Sequence, residues 1–139
     1  MKKKLLRKSR ASEPTKQPVK EAPRVLIVDD SEMVRNFHSY LLKEAGFEVR
    51  TAADGAEGLE VFLREPFDLV ITDINMPRMD GFTFIKRVRE LDKTVPIIII
   101  STQDEAQDKQ KGFDAGANVY LVKPTKPSVL VENIKFLIR

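Results

Sequence analysis

Acidic side chains follow two apolar segments of the chain, at the point where each segment ends. Asp29 and Asp30 come directly after residues 24–28, and Asp73 comes directly after residues 67–72. Short, mainly apolar runs of this kind are typical of buried strands. Like charges that are brought together repel, so the carboxylates must lie apart or be joined by a positive group. The pattern indicates either a neutralised acidic cluster or ordinary loop-capping acids.

Strand and helix patterns alternate from Arg24 to the end of the chain. We predict strands at residues 24–28, 47–52, 67–72, 96–100 and 119–122. We predict helices at residues 31–46, 56–65, 81–91, 104–117 and 127–139. Apolar central strands that alternate with helices indicate an α/β fold with a parallel sheet covered on both faces. In such sheets, ligands bind at the carboxyl ends of the strands.

This arrangement would place several chemically useful side chains on one rim of the sheet. They follow strands one, three, four and five, and they are Asp29, Asp30, Asp73, Ser101, Thr102 and Lys123. A divalent cation such as Mg²⁺ would remove the repulsion between the carboxylates, and the lysine could bind a phosphoryl oxygen. A carboxylate in such surroundings is a suitable nucleophile for phosphoryl transfer, which would give an aspartyl phosphate.

Four segments in a fixed order carry a family resemblance. They read "LIVDDS", "VITDINMPRMDG", "IIIISTQ" and "YLVKP". With these segments, residues 24–139 resemble a response-regulator receiver domain, the phosphoacceptor half of two-component signalling. The resemblance implies a flavodoxin-like, doubly wound sheet of five parallel strands in the order 2-1-3-4-5, with helices on both faces.

The resemblance also implies roles for the acidic residues. Asp73 would accept a phosphoryl group from a histidine kinase. The protein ligands of Mg²⁺ would be Asp30, the Asp73 carboxylate and the main-chain carbonyl of Asn75, while Asp29 would hold a metal-bound water. The domain would act as a signalling module and not as an enzyme, beyond catalysing its own phosphorylation and dephosphorylation.

Further positions match the switch of this family. The resemblance implies that Lys123 contacts the phosphoryl group and that Ser101 is the switch hydroxyl. It also implies that the ring of Tyr120 moves inward on phosphorylation, and that the bond from Lys123 to Pro124 is cis. Thr102 departs from the family pattern, because a small residue is typical there and a threonine would crowd the phosphoryl pocket.

The helix patterns predict which side chains face the core. We expect Val34, Phe37 and Leu41 to face inward on the first helix, and the sole histidine, His38, to lie on its surface. On the third helix we expect Phe84, Ile85, Val88 and Leu91 to face inward. The fourth helix has only Ala106, Phe113 and Ala115 as apolar anchors, which predicts a loosely held element.

The last helix carries more apolar residues than one buried stripe can use. Some of them must face outward, which suggests a partner or a second copy of the chain. We therefore expect the output surface to lie within residues 103–139. Neither the sequence nor the resemblance predicts the cognate kinase, the output partner or the phosphate lifetime. Asn75 and Gln103 occupy positions that tune this lifetime in the family.

Composition and charge bound the remaining possibilities. Apolar residues make up 42% of the 139 residues, enough for one domain with a core, and there is no cysteine to form a disulfide or a thiolate metal site. Residues 1–23 contain eight Lys or Arg and two Glu, and we predict a basic, disordered arm that could contact acidic surfaces. No secretory signal is evident, so we expect a cytoplasmic protein.

Three overall functions remain open from the sequence. The first is a stand-alone regulator of the chemotaxis type, without a DNA-binding domain. The second is a receiver fragment of a larger transcription factor or hybrid kinase. The third is an aspartyl-phosphate phosphohydrolase, which is disfavoured because such enzymes carry a DxDxT pattern after the first strand. Here the candidate nucleophile, Asp73, follows the third strand.

Overall fold

The computed structural model describes residues 21–138, so most of the predicted arm at residues 1–23 lies outside the described part. Strands and helices alternate along the chain. The strands are β1 (Arg24–Val28), β2 (Glu48–Ala52), β3 (Leu69–Thr72), β4 (Ile97–Ser101) and β5 (Val119–Val122). The helices are α1 (Glu32–Glu44), α2 (Gly55–Arg64), α3 (Gly81–Leu91), α4 (Ala106–Ala115) and α5 (Pro127–Ile138).

The five strands form one parallel sheet in the order β2-β1-β3-β4-β5, which confirms the predicted topology. All residues of β3 and β4 are buried, because helices cover both faces of these central strands. By contrast, β2 lies at an edge, and only Val49 and Ala52 of its five residues are buried. The strand order reverses between β1 and β3, which is where this type of sheet forms its binding crevice.

Two apolar clusters fill the space between the sheet and the helices. One cluster includes Phe84 and Val88 of α3 and packs against one face of the sheet. The other includes Leu42 of α1 together with Leu130 and Ile134 of α5, and it packs against the opposite face. The helices therefore divide between the two faces, and the strand ends stay open between them.

Three of the helices begin at a side chain that caps the first turn. Ser31, Asp54 and Asp80 each accept a hydrogen bond from the main-chain N–H three residues later. Asp54 also forms a reciprocal pair with Glu57, whose carboxylate accepts from the N–H of Ala53. No such side-chain hydrogen bond is found at Glu105, which precedes α4.

The predicted faces of α1 require correction. His38 is buried, with 7% of its surface exposed, and Phe37 is 49% exposed, which reverses the predicted arrangement. The reason is the rotation of α1 about its axis, which directs His38 and Leu42, four residues apart, toward the sheet. Phe37 then lies at the edge of the buried stripe, with its ring centroid 5.8 Å from that of His38.

Three further inward predictions, one on α3 and two on α4, are wrong, while the others on α3 are confirmed. Phe84, Ile85 and Val88 are buried, but Leu91 is 52% exposed because it is the last residue of α3. Phe113 is 45% exposed and Ala106 is exposed as well, because α4 turns Gly112 and Ala115 toward the sheet instead. The loose anchoring expected of α4 therefore rests on even fewer apolar side chains than the sequence indicates.

Candidate functional site

The carboxyl ends of four neighbouring strands form one rim, and the predicted site residues lie along it. Asp29 follows β1, Asp73 follows β3, Ser101 ends β4 and Lys123 follows β5. Their closeness follows from the parallel pairing, which aligns these ends within one or two residues of each other. The bond between Lys123 and Pro124 is cis, as the resemblance implies.

Lys123 is the positive group that joins the carboxylates. Its Nζ lies 2.9 Å from Oδ2 of Asp29 and 3.0 Å from Oδ2 of Asp73. The side chains of Asp29, Asp73 and Lys123 are only 5%, 12% and 19% exposed. Ion pairs so little hydrated are screened weakly by salt, so this contact holds the two acids at a defined separation.

Burial and hydrogen bonding act in opposite directions on Lys123. Burial alone would lower the pKa of its ammonium group. The hydrogen bonds to Asp29 and Asp73, together with their negative charges, outweigh that effect, so the pKa of Lys123 is raised above 10.5. The lysine is therefore fully protonated near neutral pH and can attract an anionic phosphoryl group.

Main-chain amides orient the second oxygen of each acid. The N–H of Ser31 donates to Oδ1 of Asp29 over 2.9 Å, and the N–H of Ile74 donates to Oδ1 of Asp73 over 2.6 Å. Both carboxylates are thus fixed by a lysine on one oxygen and an amide on the other. Asp30, in contrast, is exposed and can turn toward a ligand that enters from solvent.

The acidic residues fit the requirements of a magnesium site. Asp29, Asp30 and Asp73 each offer a carboxylate oxygen, and these oxygens lie within 4.8 Å of one another. Mg²⁺ prefers oxygen ligands and keeps several of its waters, so a site with one exposed acid and two oriented acids suits it. Asn75 lies exposed on the loop after β3, where its carbonyl could add a further oxygen.

The end of β4 contributes hydroxyl groups with different environments. Ser101 is fully buried, and its Oγ accepts a hydrogen bond from the N–H of Gln103 over 3.1 Å. Thr102 is exposed, so its methyl and hydroxyl groups project outward from the packed sheet. A buried hydroxyl that accepts a hydrogen bond from an amide still has its own O–H to donate to a strong acceptor that appears nearby.

Tyr120 connects this region to α4. Its hydroxyl donates to the carbonyl oxygen of Gln103 over 2.8 Å, and burial is the main reason why its pKa is raised. The ring packs beside Gly112, where a Cβ would lie 3.2 Å from the tyrosine Cδ2 and 2.6 Å from Cδ1 of Ile99. The absence of a side chain at Gly112 lets α4 approach the ring closely.

Behind the acids, α1 adds two residues that the sequence analysis did not assign to the site. Nη1 of Arg35 donates to the carbonyl oxygen of Asp29 over 2.8 Å. Burial lowers the pKa of His38, with the charges of Asp29 and Lys123 acting in opposite directions as smaller effects. No periodicity argument could have found His38, because a histidine does not mark the buried face of a helix.

A third residue missed by the sequence analysis lies on the loop between β3 and α3. Arg78 has a positive φ of 66° and forms an ion pair with Asp54, with 2.8 Å between Nε and Oδ2. This hydrogen bond is the main reason why the pKa of Asp54 is lowered. The available signal was the loop sequence itself, which offers no glycine between Asp73 and Gly81 for a left-handed turn.

Fold and site together define a doubly wound α/β domain with an acidic, lysine-bridged rim. The family described as "Response regulator receiver domain" matches residues 25–135. The chain therefore belongs to the response-regulator receiver family of two-component systems.

Curated relatives of this chain include whole transcription regulators. It is 41% identical over 118 residues to the transcriptional regulatory protein PrrA of Mycobacterium tuberculosis, covering 85% of this chain and 51% of PrrA. It is 34% identical to the DNA-binding dual master transcriptional regulator RpaA of Synechocystis, covering 84% of this chain and 49% of RpaA. The chain thus spans about half the length of these relatives.

Two similar solved structures match this chain over nearly their whole length. The chemotaxis protein CheY4 of Vibrio cholerae is 42% identical, with a TM-score of 0.80, and the match covers 84% of this chain and 98% of CheY4. A putative response regulator from Chloroflexus aurantiacus is 41% identical, with a TM-score of 0.81, covering 85% of this chain and 98% of that one.

Within residues 21–138, none of the helices has the length and apolar character needed to cross a membrane.

Proposed function

We propose that this domain is a phosphorylation-controlled switch that accepts a phosphoryl group on Asp73 from a histidine kinase. The observation that supports it most directly is the Lys123 ammonium, which contacts both Asp29 and Asp73 on the open rim of the sheet. A half-buried lysine beside an oriented carboxylate suits the binding of a phosphoryl group, and a purely structural ion pair would not require the exposed Asp30 next to it.

In this proposal, Asp30, Asp73 and the carbonyl of Asn75 hold Mg²⁺, and Asp29 holds one of its waters. When bound, Mg²⁺ supplies charge neutralisation for the phosphoryl oxygens. The carboxylate of Asp73 attacks phosphorus while the bond from phosphorus to the donor histidine nitrogen breaks. The imidazole leaves with the bonding electron pair, and Lys123 stabilises the charge on the transferred group.

The output follows from the groups at the end of β4. A phosphoryl group on Asp73 offers strong acceptor oxygens near Lys123, so the Ser101 hydroxyl can leave the N–H of Gln103 and donate to them. Tyr120 then turns inward, and α4 shifts because few apolar contacts hold it. The surface that changes lies within residues 103–139, where a downstream protein or a second copy of the chain would bind.

Two settings of this switch are consistent with the relatives. The likeness to CheY4 supports a stand-alone chemotaxis-type regulator, whereas the likeness to PrrA and RpaA supports a receiver that controls a DNA-binding region. Both settings use the same receiver switch, so the proposal for Asp73 applies to either.

The central test is phosphorylation of the purified chain with acetyl phosphate and Mg²⁺. We expect the wild-type protein to gain the mass of one phosphate, in a form that is stable to acid and cleaved by base. Asp73→Asn should gain none. The matched control is Asp80→Asn, which changes another acid of the same loop but keeps an N-cap residue for α3. If Asp73→Asn is still phosphorylated, the proposal is wrong.

A further inference from the structure

The loop between β3 and α3, residues 73–80, carries Asp73 and Asn75, two of the proposed magnesium ligands. Its return to α3 is fixed by a hydrogen bond from the N–H of Gly81 to the carbonyl oxygen of Ile74, 2.7 Å long. A Cβ on Gly81 would overlap the carbonyl oxygen of Asp73, so the two ends of the loop meet without intervening side chains. The middle of the loop is held by different contacts.

Arg78 lies in that middle part with a φ of 66°, a left-handed conformation that residues other than glycine rarely adopt. Its guanidinium reaches Asp54 at the start of α2, with 2.8 Å from Nε to Oδ2 and 3.3 Å from Nη2 to Oδ1. The Asp54 side chain is 8% exposed, whereas that of Arg78 is 65% exposed. An unfavourable backbone conformation at Arg78 is therefore retained together with a forked contact to a buried acid.

The main chain reinforces the same junction. The N–H of Gly55 donates to the carbonyl oxygen of Met79 over 3.1 Å. A Cβ on Gly55 would lie 2.6 Å from that oxygen, so the start of α2 and the loop are in direct backbone contact. Asp54 already caps α2 through the N–H of Glu57, so helix capping alone does not require the arginine.

We propose that Arg78 is a positioning residue for the phosphorylation site. By binding Asp54 it fastens the loop of residues 73–80 to α2, and thereby fixes the Asp73 carboxylate and the Asn75 carbonyl at the separation that Mg²⁺ requires. Mg²⁺ demands near-ideal octahedral geometry, so a loosened loop lowers its affinity before it affects the fold. This inference rests on the proposed function, since it assigns Arg78 a role in that site.

The test measures Mg²⁺ binding directly, without a phosphodonor, by following main-chain amide shifts of the rim in NMR titrations. Arg78→Gly removes the guanidinium and suits the positive φ, and Arg78→Asn does so with less added backbone freedom. Asp54→Asn keeps an N-cap and leaves the loop sequence unchanged. We expect each variant to need about tenfold more Mg²⁺ for half saturation, as is usual for groups that orient metal ligands.

Two comparisons separate this role from general effects. Arg87→Gln removes a positive charge from the exposed face of α3 and should leave Mg²⁺ binding unchanged. The double variant, which combines Arg78→Gly with Asp54→Asn, should bind Mg²⁺ no more weakly than either single variant, because both substitutions remove the same contact. Arg78→Lys keeps the charge but loses the fork, and we expect it to recover only part of the affinity.

The outcomes are distinct. If the variants melt at lower temperature in EDTA but bind Mg²⁺ like the wild-type protein, Arg78 is only structural and this inference is overturned. If the wild-type protein itself shows no saturable response to Mg²⁺, the proposed function fails instead. The positioning role is supported if Arg78→Gly, Arg78→Asn and Asp54→Asn all need more Mg²⁺ for half saturation, while Arg87→Gln binds Mg²⁺ like the wild-type protein.

Discussion

At the scale of single residues, one lysine balances two acids that would otherwise repel each other. Lys123 is hydrogen bonded to Asp29 and Asp73, and all three side chains are largely removed from water. Removing one partner of such a group leaves uncompensated charges, which costs more than the intact pair contributes. The electrostatic balance of the two acids therefore depends on Lys123.

This balance leads to a prediction for Lys123→Met. We expect a loss of about 2–3 kcal/mol in the free energy of unfolding without divalent ions, somewhat below the cost for fully buried pairs because the lysine is partly exposed. The loss should become smaller in Mg²⁺, which would neutralise the same carboxylates. Urea denaturation in EDTA and in Mg²⁺ measures both values. Lys126→Met, at an exposed lysine nearby, serves as the control.

The pH dependence of that difference has a definite sign. The folded-state pKa of Lys123 is raised above 10.5, so its stabilisation is complete below pH 10.5 and is lost as the pH rises through the folded-state value. The stability gap between wild type and Lys123→Met should therefore be constant at neutral to mildly alkaline pH and close at higher pH. A gap that closes between neutral pH and pH 10.5 would contradict this assignment.

At the scale of elements, α4 differs from the other helices in how it is held. Its buried residues are Gly112 and Ala115, and its N-cap, Glu105, makes no side-chain capping bond. Lys111 lies 4.9 Å from the ring centroid of Phe82, a cation–π contact that links α4 to α3. A helix with few buried apolar contacts opens more readily than its neighbours.

We accordingly predict that Glu105→Ser, which supplies a capping hydroxyl, stabilises α4 by about 1 kcal/mol. Hydrogen–deuterium exchange should then slow in α4 and change little in α3. The matched variant is Asp80→Ala, which removes a cap from α3. It should destabilise α3 by a comparable free energy and so speed hydrogen exchange there. If α4 already exchanges as slowly as α3 in the wild-type protein, the view of α4 as a weakly held element is wrong.

At the scale of the whole molecule, two groups of exposed apolar side chains are candidates for the output surface. One lies within residues 103–139, where Phe113 and Phe136 are 45% and 65% exposed. The other is on α1, where Met33, Phe37 and Tyr40 are 79%, 49% and 63% exposed at helical spacing. Only the first adjoins Tyr120 and Ser101, so the proposed switch acts on that surface and leaves α1 unchanged.

We predict that a beryllofluoride phosphoryl mimic strengthens partner binding or self-association through residues 103–139. Ser101→Ala should still be phosphorylated at Asp73 but lose most of that gain in binding. The Ser101 hydroxyl is the group proposed to couple phosphorylation to the change within residues 103–139. Analytical ultracentrifugation with and without the mimic measures self-association. An undiminished gain in Ser101→Ala, or an interface that maps to α1, would refute the mechanism.

Deletion of residues 1–22 is the companion control, and it should leave phosphorylation unchanged.

The sequence by itself determined the order of strands and helices and the composition of the rim. Uniformly apolar runs marked the buried strands, and parallel pairing brings the residues that follow them to one edge. For that reason Asp29, Asp73 and Lys123 could be placed together without coordinates. The capping pair of Asp54 with Glu57 was equally predictable, because it depends on residues three apart in the chain.

Only the tertiary structure decided which way each helix turns and which distant residues meet. Periodicity locates an apolar stripe but not its rotation against the sheet, so His38 proved buried while Phe37 and Phe113 proved exposed. The contact between Arg78 and Asp54 joins residues 24 positions apart. It depends on how α2 and the loop after β3 pack, which is a property of the assembled fold that no local pattern encodes.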